Sequence, residues 1–255
     1  MKPSTKMPLA RNAWRSTGLL LGGLVFVSLS AGPLPPGAAA TTHVVTSLAD
    51  PGTDGCTPDE CTLREVLTVA QEGDTLTFAP ALFATGPQTL RLQAGPLRLE
   101  KHLTIAGPGQ ALLALSGRRT SVVVQIPPGV IVVIKNITIQ RGLAVPAGGI
   151  DNAGNFTLVQ STVRGNISNG IVNRASGILT LHQSTVRNNT FTGLENAGRA
   201  SLSRSTIHGN ARGLTNVRGA SLTLSQSTVS SNPVMGLFND GLATLWNTTV
   251  SNNGT

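Results

Sequence analysis

The second half of the chain repeats itself. From Gly149 onward the pattern G-[IL]-x-N followed by L-x-x-S-T-[VI]-x-x-N occurs in five copies. Asn152, Asn173, Asn196, Asn216 and Asn239 form one column, spaced 21, 23, 20 and 23 residues apart. Parallel columns begin at Leu158, Thr162, Val163 and Asn166 and end at Leu245, Thr249, Val250 and Asn253. An earlier, less regular copy surrounds Val132, Ile134, Thr138 and Ile139. So short a period excludes propeller blades and helix-pair repeats. The leucine-rich signature L-x-x-L-x-L is missing, and no copy carries the 3.6-residue apolar spacing of a helix. Each copy instead holds short alternating pieces such as Ala220-Ser221-Leu222-Thr223-Leu224. One coil per copy lays like over like, about 4.8 Å apart, the spacing of paired strands. The pattern predicts a parallel β-helix.

The columns then acquire tasks. Leu158, Val163, Ile150 and their equivalents point inward as a dry aliphatic stack. The two Asn columns are expected at turns, where Asn tolerates positive φ and its amide bonds to the next Asn along the stack. Gln160, Gln183, Arg204, Gln226 and Asn247 form an outward polar ladder. Only 12% of residues are charged and 40% are apolar, which excludes a solvated disordered chain.

The N-terminal residues read differently. Lys2, Lys6, Arg11 and Arg15 precede an apolar run from Gly18 to Leu29, and Ala38-Ala39-Ala40 supplies a small-x-small site. These features predict an export signal over residues 1–40, whose apolar run is too short for a membrane span. In an exported chain Cys56 and Cys61 are expected to form a local disulfide. Two cysteines with four dispersed histidines offer no zinc site, so no metal or cofactor is expected. Thr62 and Glu65 are spaced as a capping box, with Leu63, Val66, Leu67 and Ala70 on one helical face and Gly73 as the stop. Such a helix would cover the open end of the stack, as solenoids require.

The segment Asp54-Gly55-Cys56 to Cys61-Thr62-Leu63-Arg64-Glu65-Val66 resembles the CSLREA-type segment of exported bacterial β-helix proteins. Thr62 and Val66 stand where the name motif has Ser and Ala. Leu103 to Gly109 and Asn136-Ile137-Thr138-Ile139 are similar to that family as well, and the resemblance covers roughly residues 43–255. It implies an all-β, right-handed parallel β-helix solenoid of pectate-lyase-like shape, a short N-terminal capping helix, export and surface display. It implies no particular reaction. The expected division is a signal over 1–40, a cap over 41–95, and coils over 96–255 that stop at Thr255 without a closing cap. An open end of that kind invites end-to-end self-association.

A formal charge of +8 suggests nucleic acid until the charge is located. Four of the positive charges lie in residues 1–40, residues 41–141 balance eight against eight, and 142–255 hold seven Arg against three acids. That is too few for a phosphate-backbone surface, so no nucleic-acid partner is expected. The coils offer only Asp151, Glu195 and Asp240 as carboxylates. Asp151 and Glu195 share a column two coils apart, roughly 10 Å, just past the separation inverting hydrolysis uses. No catalytic residue is assigned. One outward column, Arg164, Arg187 and His208, is a candidate ligand site. Its stacked like charges suit an acidic polysaccharide or a phosphate-bearing cell-envelope polymer. The function expected is an exported, surface-displayed adhesin-like module, secreted or at the cell surface. The alternative is a polysaccharide lyase or glycoside hydrolase.

Overall fold

The computed structural model describes residues 39–50, 55–57 and 60–254. The export segment read over 1–40 lies outside these residues except for its last two. Within the described residues every strand pairing is parallel, in three sheets: a first of nine strands, a second of eight and a third of seven. One coil shows the plan: Ala147–Asn152 lies in the third sheet, Asn155–Val159 in the first and Thr162–Arg164 in the second. Asn169–Asn173 then returns to the third sheet beside Ala147–Asn152. The chain thus winds as a three-sided parallel β-helix.

Register carries the repeat into space. Leu158, Leu181, Leu202, Leu224 and Leu245 are Cα partners in succession. So are Val163, Val186, Ile207, Val229 and Val250. Ile150, Ile171, Leu194, Leu214 and Leu237 complete the third face. Leu158, Val163 and Ile150 are fully buried, and Phe156 is the largest fully buried side chain. Burying each such side chain contributes roughly 1.5–3 kcal/mol.

A coil must also turn three corners, and each corner buries backbone amides. Backbone bonds between coils and inward polar side chains share the task of satisfying them. Asn152 donates to Asn173 Oδ1 at 2.7 Å, Asn173 to Asn196 at 2.8 Å, and Asn196 to Asn216 and Asn216 to Asn239 at 2.7 Å each. The same Nδ2 groups donate to carbonyls of the following coil, such as Ser221 O from Asn196. The second Asn ladder, from Asn166 to Asn253, adds a backbone contact: each amide N–H donates to the next Oδ1, as Asn189 does to Asn210 at 3.0 Å. The corner between the first and second sheets uses serine. Ser161, Ser184 and Ser205 each donate a backbone N–H to the next Ser Oγ, at 3.1–3.3 Å. This serine column, hidden inside the S-T-V motif, is not apparent from sequence.

The Asn columns do bond along the stack, but they do not occupy the left-handed positions. Those belong to the outward ladder, with φ of 46° at Gln160, 49° at Gln183 and Arg204, 48° at Gln226 and 47° at Asn247. A second left-handed column, just before the other Asn ladder, runs Arg141, Gly165, Asn188, Gly209, Ser231 and Asn252. The reason is room: the Asn amides must point inward, and the outward corner residue absorbs the turn. The glycine of G-[IL]-x-N is explained by space. A Cβ on Gly170 would stand 2.7 Å from Asn189 Nδ2 and 2.8 Å from the Gly193 carbonyl oxygen.

The helix Leu63–Val69 forms with both halves of its capping box, Thr62 receiving the Glu65 N–H and Glu65 receiving the Thr62 N–H. It ends before Gly73, at an extended Ala70, and Lys101 caps its last turn by donating to the carbonyls of Leu67, Thr68 and Ala70. Gly73, with φ of 88°, serves the following turn. Arg64 pairs with Asp50 and donates to the carbonyls of Gly95 and Pro96, tying the helix to the turn beneath it. Asp74 accepts the N–H groups of Gln71 and Thr41 and faces His43. These contacts hold its carboxyl well below the usual carboxylate range. Cys56 and Cys61 are joined, with Cα atoms 4.4 Å apart.

The ladder account sets an expectation for stability. Asn196→Ala removes donors to Asn216 and Ser221 in a fully buried corner, and should lower unfolding free energy by about 1–3 kcal/mol in a urea titration. Asn239→Ala, exposed in the last described coil, should cost well under that. Equal losses at the two positions would show that burial of the ladder is not what makes it matter.

Candidate functional site

The outer face of the second sheet follows from alternation. In Thr162-Val163-Arg164 the middle residue enters the core, so its neighbours face out. Arg164 is the partner of Arg187, Arg187 of His208, and His208 of Ser230. All three expected ligand residues therefore share one outward column, and each is half-buried rather than splayed into solvent. Gln140 occupies the same column in the preceding coil.

Arg164 and Arg187 open onto a recess of about 290 Å³, also lined by Arg119, Gln140, Arg141, Gly165 and Asn188. His208 is not part of its lining and stands one coil beyond Arg187. Four arginines thus face one hollow with no carboxylate in its wall. Among the described residues none of the four forms an ion pair. Elsewhere some arginines are paired. Arg64 is held by Asp50, and Arg174 grips Asp151 with two bonds of 2.6 and 2.9 Å. The larger hollow beside the helix is lined by Arg64, Arg98, Lys101 and Glu100, of which Arg64 and Lys101 are already engaged by backbone carbonyls.

The electrostatics agree with the crowding. Burial, then the Arg187 and Arg141 guanidinium groups, push Arg164 below the ordinary arginine value. Burial and then Arg187 push His208 below the ordinary histidine value. Both shifts say that positive charge here lacks a counter-charge.

Arg119 and Arg141 were not among the candidates from sequence. They come from the less regular coils, where no repeat marks an outward column. Arg141 extends the left-handed corner column, with φ of 53° where later coils place Gly165 and Asn188. Arg119 sits in the turn Gly117 to Thr120, closed by the Thr120 N–H on the Gly117 carbonyl at 2.9 Å. Its backbone N–H donates to the Arg141 carbonyl at 2.6 Å, which fixes the two arginines to each other. The dipeptide Arg118-Arg119 was the one available signal.

The carboxylates do not assemble. Asp151 is taken by Arg174, and Glu195 accepts from Asn169 at 2.7 Å. Asp240 is exposed in another corner. Among the described residues no three His, Cys, Asp or Glu side chains converge as metal ligands. Nor is any described helix long and apolar enough to cross a membrane.

No protein-family model and no curated protein sequence matches the chain. Solved structures do. A crystal structure of pectate lyase Pel9A aligns over 85% of this chain and 71% of its own, with a TM-score of 0.59 and 12% identity. The protein of open reading frame ORF18 of Geobacillus virus E2 aligns over 72% and 43%, with a TM-score of 0.46 and 10% identity. The A-module of mannuronan C-5 epimerase AlgE6 of Azotobacter vinelandii covers 85% and 78%, with a TM-score of 0.36 and 16% identity. The first of these shows that the chain shares the pectate-lyase-like parallel β-helix fold.

His208 reports on the site directly. Its imidazole should titrate by NMR with a midpoint below the unperturbed value of about 6.5. In Arg187→Ser, one positive neighbour is gone and the midpoint should rise. An unshifted midpoint in that variant would show that the column is too well screened to act as one site.

Proposed function

We propose that the chain is an exported, surface-displayed β-helix module that binds an acidic polymer and does not cleave it. The ligand lies over the outer face of the second sheet, along the solenoid axis, with anionic groups held by Arg164 and Arg187. The observation that carries this reading is the recess of four arginines without a carboxylate. Like charges at coil spacing, about 4.8 Å, repel unless an anion separates them. The flanking columns supply hydrogen-bonding groups suited to a hydroxylated chain: Thr185 on one side, Gln160 and Gln183 at the corner. The Cys56–Cys61 bond and the fold both suit an extracellular setting. The resemblance to exported proteins with a CSLREA-type segment supports the same placement.

The polysaccharide lyase or hydrolase reading draws on the likeness of fold to Pel9A, and a fold hosts many functions. The occupied state of Asp151 and Glu195 favours binding over cleavage.

A glycan array tests the proposal. Acidic polysaccharides should be retained intact, and retention should fall as salt rises, because charges at the surface are screened over about 8 Å at physiological ionic strength. Arg164→Ser with Arg187→Ser should abolish most retention with an unchanged melting curve, since such surface changes cost under about 0.5 kcal/mol. Unsaturated or reducing ends released from any polymer would replace the binding reading with the enzymatic one.

A further inference from the structure

The four-arginine recess differs from the rest of the second sheet in depth, in the origin of its residues and in backbone strain. Arg141, Arg164 and Arg187 rise through three successive coils. Arg119 approaches from a separate turn and is held by its N–H on the Arg141 carbonyl. Arginines supplied by two routes, the coils and the turn, therefore line one recess. A carboxylate is planar, with two oxygens, and matches the fork of one guanidinium, or two that share its plane. Four guanidinium groups around one hollow outnumber what it can answer. A group with three free oxygens disposed tetrahedrally presents acceptors out of any single plane.

The backbone points the same way. Arg118 and Arg119 have φ of 54° and 65°, and Arg141 has φ of 53°. Two consecutive left-handed residues in a four-residue turn are the arrangement that Asn-Gly adopts with least cost. Arginine carries a Cβ that disfavours it, so this turn holds its residues against their own preference. Strain of that kind collects where a ligand site needs a particular side chain.

We propose that the recess formed by Arg119, Arg141, Arg164 and Arg187 is a subsite for a tetrahedral oxyanion, a sulfate ester or a phosphate group, carried by the bound polymer. This rests on the reading of the second sheet as an anion-binding face. The outward column sets where the polymer lies, and the recess selects which anionic group it must carry. Asn188, at the rim, adds an amide donor for a fourth, bridging oxygen.

Three polymers of matched length separate the possibilities: polygalacturonate for carboxylate, dextran sulfate for sulfate ester and dextran bearing phosphate monoesters for phosphate. Binding to the immobilised full chain is measured at one ionic strength. At least one of the sulfate and phosphate polymers should bind ten-fold or more tighter than polygalacturonate, and the tighter of the two identifies the source of the oxyanion. Arg141→Gln should erase that preference while weak binding of polygalacturonate persists. Arg119→Gly should erase it too, and should raise the melting temperature, because glycine relieves the left-handed position. Arg118→Asn, outside the recess, should leave the preference intact. Equal binding of all three polymers, or preference for polygalacturonate, overturns the subsite and leaves the acidic-polymer reading standing. Failure of all three to bind overturns both. Arg119→Gly that keeps the full preference also overturns the subsite, since its guanidinium would then contribute nothing to it.

Discussion

A chain that turns three corners in every 20 to 23 residues buries backbone N–H and C=O groups at each of them. Some of them bond backbone to backbone across coils, as the Arg174 N–H does to the Asn152 carbonyl and the Gln160 N–H to the His182 carbonyl. The inward Asn and Ser ladders supply the further partners, each side chain serving its own coil and the next. Because one amide bonds to the same amide a coil away, the ladder works only if every coil has the same residue at the same place. That requirement fixes the register, and the register aligns the aliphatic columns between the corners. It also demands the glycines, since a Cβ at Gly170 or Gly193 would displace the Asn amides behind them. The polar corners therefore decide where the apolar core can be, although the core supplies most of the burial.

The same logic explains what was legible in the sequence. A residue that must stack on itself appears as a column, so Leu158, Val163 and Asn152 announced the fold. Their direction was legible for the aliphatic columns and wrong in part for asparagine. Asn152 looked like a left-handed turn residue because Asn tolerates that conformation, whereas the structure places Gln160 and Asn188 there and keeps Asn152 inside. Serine was overlooked because Ser161 sits beside Thr162 and both are small hydroxyls, although one faces the core corner and the other is covered by Gln110. The disulfide and the capping box needed only local spacing, and both formed.

The site was half legible for a related reason. Arg164, Arg187 and His208 lie in a regular column, so alternation alone gives their direction. Arg119 and Arg141 lie where coils are irregular, and only the pairing of Gln140 with Arg164 brings them alongside. His208 shares the column but not the recess. A column predicts neighbours along the axis. It does not predict what a turn from an irregular coil will add from the side, because that depends on a loop path no repeat encodes.

Inner and outer positions of this solenoid answer to different constraints. Inward residues hardly change from coil to coil, since each is held by the one above and below. On the second sheet the outward residues change freely: Gln140, Arg164, Arg187, His208, Ser230 and Ser251 share one column. Nothing in the fold calls for arginine at two of these and serine at two others. Arg141, Arg164 and Arg187 set like charges on three adjacent coils, where repulsion between neighbours opposes folding rather than aiding it. A chain selected only for a stable stack would spread those charges or pair them, as it does at Arg174 with Asp151 and at Arg64 with Asp50. Their concentration beside a strained turn is thus a property of the surface and not of the coil, and it is on the surface that chains of one fold acquire different work.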